Sequence, residues 1–271
     1  MLKHCCLIWL LIFVAACNRP PVDGESTPVP INLHGVGSGA MLPLVRQLAD
    51  RFVLERAYIS IDLDRTNSNR ALALLQAGAI DFAMSTAPDP VPDPLQQVPI
   101  ARDSIAIIVH PNNPVENLTL RDLGQLYGGK IYNWQAVQGS SGPDLAVQVV
   151  TREPGSGIGS IFQTQILGQQ RMTPNARVFA NGVAVVNYVS QHPQAIGYTS
   201  QSQVTGKVKM VAVEEILPTP ETTANAAYPL TYLLYVVVPE QADPTVRAFV
   251  DFILGPAGQS MMAGWRLGRV R

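Results

Sequence analysis

Four short runs of small residues hold most of the chemistry open to this sequence: GVGSGA at 35–40, RTNSNR at 65–70, MSTAP at 84–88 and REPGSGIG at 152–159. None contains a histidine or cysteine. Each follows a stretch that reads as a strand, and three lead into a helical pattern. Bare backbone N–H groups in such turns, with the positive end of a helix dipole behind them, suit an anion. Arg152 heads the last run and offers charge-assisted donors in a fork. One glycine-rich turn is as often a tight turn as a site. Four strand ends with an arginine point to capture of a small oxyanion.

Other chemistries fit less well. GVGSGA matches G-x-G-x-x-A, and Asp62 or Asp64 ends the next strand as a ribose partner of a dinucleotide would. That reading leaves the other three turns unexplained. His34, His110 and His192 lack metal-ligand spacing. PGSGI is not a nucleophile elbow, and no His–Asp pair is placed to activate Ser156. Trp134, Trp265, Tyr127, Tyr132 and Tyr198 read as core or rim. No enzyme, cofactor or metal site is expected. The 271 residues are 47% hydrophobic and 14% charged with a net charge of -1, which describes a globular chain without the basic field that nucleic acid requires.

The elements that must position these turns alternate between strand and helix, so the expected class is α/β with parallel sheets. INLH, AYISIDLD and AIDFAMS are strands, and Leu44, Leu48 and Phe52 form the buried stripe of the first helix. SIAIIVHP (104–111) is a buried strand. Thr119 and Asp122 stand at capping-box spacing, with Leu120 and Leu123 facing inward. LAVQVVTR feeds the fourth turn, and LPTPETTANAAYP reads as a surface loop or lobe connection. YPLTYLLYVVVP is a long strand before a closing helix, in which Asp243 is the cap, Pro244 the first turn, and Phe249, Val250 and Ile253 the core stripe.

Residues 1–16 read as an export signal: Lys3, the apolar Leu7 to Val14, then Ala15 and Ala16. VAAC resembles a bacterial lipoprotein box, with Val14 where leucine is commoner, which makes Cys17 the lipidated residue and residues 17–30 a tether. Cysteines fall only at 5, 6 and 17, so the exported body has no disulfide pair. Asn18 is not the aspartate that often retains lipoproteins at an inner membrane.

Several segments in order resemble the phosphate-binding proteins of bacterial ABC importers, in the type 2 periplasmic binding protein superfamily. They are GSGAMLPLVRQLADRF, GAIDFAMSTAP, IARDSIAIIVHPNNPVENLTLRDLGQLYGGKIYNW, VVTREPGSGIGSIF, NGVAVVNYVSQHPQAIGYTS, and YPLTYLLYVVVP through VRAFVDFILGPAGQ. The resemblance implies a two-lobed α/β fold, each lobe a mainly parallel sheet flanked by helices, with the ligand cleft between. Lobe I would take 27–110 and 229–271, and lobe II 111–228. Carried over by position, the ligand residues are Ser38, Gly39, Ala40, Ser68, Thr86, Arg152, Ser156, Gly157 and Ile158. The implied role is a monomeric, lipid-anchored protein outside the cytoplasm that binds phosphate and delivers it to ABC permease subunits. Three positions depart from the family. Gly39 and Ile158 stand where hydroxyl residues are usual, and Thr86 where some members carry an aspartate that accepts the phosphate proton. The site therefore reads as poorer in selectivity, open to sulfate or tungstate, and Asp62, Asp64 or Asp103 would have to supply any acceptor. The same fold in a sensing or assembly role is the alternative.

Overall fold

The computed structural model describes residues 29–86, 91–137 and 142–270; the leader, Cys17 and most of the tether lie outside them. The chain order is β1 (Ile31–Ser38), α1 (Leu42–Val53), β2 (Ile59–Thr66), α2 (Ser68–Gln76), β3 (Phe82–Ser85) and β4 (Leu95–Val109). Then come β5 (Asn117–Leu118), α3 (Leu120–Tyr127), β6 (Gln148–Arg152), α4 (Gly157–Phe162), β7 (Arg177–Phe179) and α5 (Gly182–Val189). The rest is β8 (Ala195–Ser200), β9 (Lys209–Val213), α6 (Pro220–Ala224), β10 (Thr231–Pro239), α7 (Pro244–Leu254) and α8 (Pro256–Gly264).

These strands make a mixed sheet in the order β2-β1-β3-β10-β4-β8-β6-β7. The strands that end in the four turns pair in parallel, β1 with β2 and β3, and β6 with β7 and β8, except that β3 is antiparallel to β10 on its other side. Parallel pairing brings the carboxyl ends of β1, β2 and β3 to one edge, where Ser38 pairs with Thr66 and Gly37 with Met84. On the far side Arg152 pairs with Phe179 at the ends of β6 and β7. The antiparallel pairs all involve β4 or β10. The fold is α/β as expected, and "mainly parallel" holds for the strands that carry the turns.

β4 joins the two halves of the sheet. Leu95–Ser104 pair with β10, and from Ile105 onward the strand pairs with β8 and β9. At that change of partner Asp103 is buried and accepts from Ser200 Oγ (2.5 Å), Tyr232 Oη (2.7 Å) and the Ser104 N–H (2.7 Å). These donors come from β8, β10 and β4, so one carboxylate ties three strands together. Ser104 Oγ bonds Thr223 Oγ1, which donates to Gln201 Oε1 at 2.8 Å.

Local chemistry explains the helices. Thr119 and Asp122 make both bonds of a capping box, and Asp243 Oδ1 accepts from the Thr245 N–H at 2.7 Å. Leu44, Leu48 and Phe52 are buried, as are Phe249, Val250 and Ile253. Leu120 is exposed, contrary to its expected inward face: as the first helical residue it precedes the turn that packs through Leu123, Leu126 and Tyr127. The tract read as a loop contains α6, capped by Thr219 and Thr222. Trp134, Tyr127 and Tyr198 are core residues, whereas Tyr132 is exposed.

Candidate functional site

A cleft of about 340 Å³ opens where the two sets of strand ends face each other. Seven of the nine expected ligand residues line it: Ser38, Gly39, Ala40, Arg152, Ser156, Gly157 and Ile158. Ser68 and Thr86 lie buried beside it. Asn67 Oδ1 caps α2 by accepting from the Arg70 N–H at 2.9 Å, which leaves Ser68 as the first helical residue. Ser68 Oγ accepts from the Thr86 N–H at 3.5 Å, linking the second turn to the third.

The fourth turn is built by glycine. Gly155 has φ +84, a left-handed backbone that bends the chain into α4. Ser156 caps that helix, its Oγ accepting from the Gly159 N–H at 3.3 Å. The helical path continues through a π-helical turn at Gln163–Leu167. Gly157 packs so closely on the third turn that a Cβ there would lie 1.9 Å from Thr86 Oγ1. Thr86 Oγ1 itself is buried and makes no hydrogen bond among the described residues. A buried hydroxyl without a partner costs about 1–3 kcal/mol, so this atom awaits an acceptor or donor.

Arg152 supplies the charge. Its Nε donates to Phe179 O (3.3 Å) and its Nη2 to Ala180 O (3.0 Å). Burial pulls the guanidinium down from its ordinary value; Tyr198 and Glu153 oppose that shift, and Arg65 adds to it. Arg65 is the cationic residue that the sequence reading passed over. It is the penultimate residue of β2, yet its Nη2 donates to Glu153 Oε1 (3.0 Å) and also to Ala180 O (3.1 Å). Two guanidinium groups from opposite sides therefore share one carbonyl oxygen. Net positive charge in a partly buried cleft attracts an anion.

The acidic residues fall differently from the expectation. Asp62 accepts from Asn32 Nδ2 at 2.9 Å, Asp64 pairs with His34 at 3.0 Å, and Asp103 sits in the strand junction. None of the three lines the cleft. Glu153 is the carboxylate that does, with Arg65 on its Oε1. Asn67, Asn181 and Gln203 also line the cleft. Asn67 and Glu153 stood within the quoted turns, but Asn181 follows β7, a strand of three residues that periodicity does not reveal. No cluster of three potential metal ligands occurs among the described residues.

Residues 21–257 match the family model described as a PBP superfamily domain. The chain belongs to the PBP superfamily. Among curated relatives it is 27% identical to phosphate-binding protein PstS of Pseudomonas aeruginosa, over 89% of this chain and 84% of that one. It is 24% identical to PstS of Staphylococcus epidermidis, over 92% and 82%. A solved phosphate ABC transporter substrate-binding protein with bound phosphate, from Clostridium perfringens, superposes with a TM-score of 0.81 at 31% identity, covering 89% of this chain and all of that one. An ABC-type phosphate transport receptor from Vibrio cholerae gives 0.78 at 25% identity, over 87% of this chain and 99% of that one. The resemblance read from the motifs is the one these comparisons return, and the chain is PstS-like in fold.

Proposed function

We propose that this chain is a solute-binding protein that captures a small oxyanion, inorganic phosphate foremost, and presents it to an ABC importer. The observation that carries the reading is the convergence of the first, second and fourth strand-end turns, with Arg152, on one cleft, and beside them the buried Thr86 hydroxyl of the third turn, which has no hydrogen-bond partner among the described residues. Phosphate is the ligand in the names of the PstS relatives and in the phosphate-bound Clostridium perfringens structure. Gly39, Ile158 and Thr86 remove hydroxyl and carboxylate groups from positions where phosphate binders carry them, which favours sulfate as the second candidate. The residues around the cleft serve recognition, not bond-making.

In this reading the chain passes from lobe I (27–110 and 229–271) to lobe II (111–228) just after β4 and returns just before β10, and closure of the lobes encloses the ion. The chain works outside the cytoplasm, held to a bacterial membrane through lipid on Cys17. No helix among the described residues is long and apolar enough to cross a membrane. Titration calorimetry with phosphate, sulfate and tungstate at constant ionic strength tests the function. Saturable binding of phosphate with loss on Arg152→Ala supports it; no heat with any of the three overturns it.

A further inference from the structure

The cleft offers more donors than one tetrahedral ion can use. Its volume of about 340 Å³ falls in the range of clefts that take small organic ligands, from about 300 Å³ upward. Arg152 is half-buried against the end of β7, whereas Arg65 stands exposed on the opposite wall, held by Glu153 and Ala180. Three side-chain amides complete the lining. Asn67 and Asn181 use their Oδ1 atoms as helix caps, and Gln203 uses Oε1 to accept from Thr199 at 2.9 Å. The NH2 groups of all three make no hydrogen bond among the described residues. An outer wall of one cation and three free amide donors matches a ligand portion rich in acceptor oxygens.

The inner turns are equally one-sided. They present N–H and O–H groups with Arg152, and the carboxylate of Glu153 is already taken up by Arg65. Nothing there demands a proton on the bound ion. A phosphate ester, whose second pKa lies near roughly 6, presents terminal oxygens free of protons at neutral pH.

We propose that the cleft also takes small phosphomonoesters, with the phosphoryl group on the four turns and a hydroxyl- or carboxyl-bearing substituent against Arg65, Asn67, Asn181 and Gln203. Arg65 is then the residue that distinguishes ester from free ion. This rests on the oxyanion reading of the same cleft, and the test separates the two. The purified chain and its Arg65→Gln variant are titrated with inorganic phosphate and with 3-phosphoglycerate, and thermal melts verify that both proteins are folded. The expected result is an ester affinity within roughly tenfold of that for phosphate. Arg65→Gln should weaken the ester by at least about tenfold more than it weakens phosphate. Phosphate binding with no ester binding overturns the proposal and leaves the oxyanion reading intact. An equal loss for both ligands also overturns it, since Arg65 would then belong to the phosphoryl subsite. Binding of neither overturns both.

Discussion

Thr86 and Gly157 touch across the boundary between the third and fourth turns, with Thr86 Oγ1 where a Cβ on residue 157 would have to be. The contact requires glycine for space, since the two residues come from the end of β3 and the start of α4. Gly157→Ala should therefore force the turns apart. Overpacking of this kind costs about 1–3 kcal/mol, equivalent to roughly 5- to 150-fold in affinity if the strain falls on the closed form. Calorimetry read beside a thermal melt checks it: affinity should drop while the melting temperature changes little. A drop in melting temperature with unchanged affinity would place the contact outside the binding step.

Arg152 should contribute more to anion affinity than any other side chain. Backbone carbonyls of Phe179 and Ala180 hold it in place, so little ordering remains to be done when an anion arrives. Removing a charged partner from a buried ion costs about 2–5 kcal/mol. Titration of Arg152→Ala with phosphate should show a loss of roughly thirtyfold or more. A loss below about tenfold would move the site elsewhere.

Asp103 carries a pH dependence of stability. Burial raises its carboxyl above the ordinary 3.8, against the lowering by hydrogen bonds from Ser200, Tyr232 and the Ser104 N–H. The folded chain then keeps a proton that the unfolded chain releases. The stabilisation from this group is full below the unfolded value of 3.8 and declines as pH rises through the folded value. Asp103→Asn removes that dependence. Urea unfolding of both proteins from acid to neutral pH should show the parent losing stability relative to the variant as pH rises. Parallel curves would mean that Asp103 does not titrate in this window.

What was legible in the sequence was local. The Thr119–Asp122 box, the Asp243 cap and the Leu44–Leu48–Phe52 stripe each depend on residues within two turns of one another. β4 was not legible over its full length, because Gln96, Gln97 and Pro99 interrupt its apolar pattern. Its pairing with β10 shifts register between Leu234 and Tyr235, opposite Ala101 and Pro99. Proline has no N–H for a ladder, so a bulge there is expected once the partner strand is known. The site divided the same way. Turns that follow strands could be read, but Arg65 reaches a carbonyl 115 residues away in the chain, and no spacing rule reports such a contact.

The lipid anchor can be tested without the ligand. The leader ends in VAAC, and Cys17 is the residue such a leader would expose for acylation. Growth of the host with a labelled fatty-acid analogue should mark the parent and leave Cys17→Ser unmarked and released from the membrane fraction. Equal labelling of both proteins would leave an exported protein with an incidental cysteine.

Selectivity between phosphate and sulfate turns on Thr86. Phosphate near neutral pH carries a proton that a carboxylate can accept, whereas sulfate carries none, and a hydroxyl donates to either. With threonine buried at the third turn, and Asp62, Asp64 and Asp103 all engaged elsewhere, sulfate should compete with phosphate. Thr86→Asp should shift the preference toward phosphate, because a fixed carboxylate beside unprotonated sulfate leaves two like charges unpaired in a closed site. The buried position of Thr86 makes a folding check necessary, and Thr86→Asn supplies it with a neutral side chain of the same shape. Competition titrations should rank Asp above Thr and Asn in phosphate preference. If the parent already prefers phosphate by about a thousandfold, roughly 4 kcal/mol, the acceptor is already present. Glu153 is the carboxylate lining the cleft, so Glu153→Gln would then be expected to erase the preference.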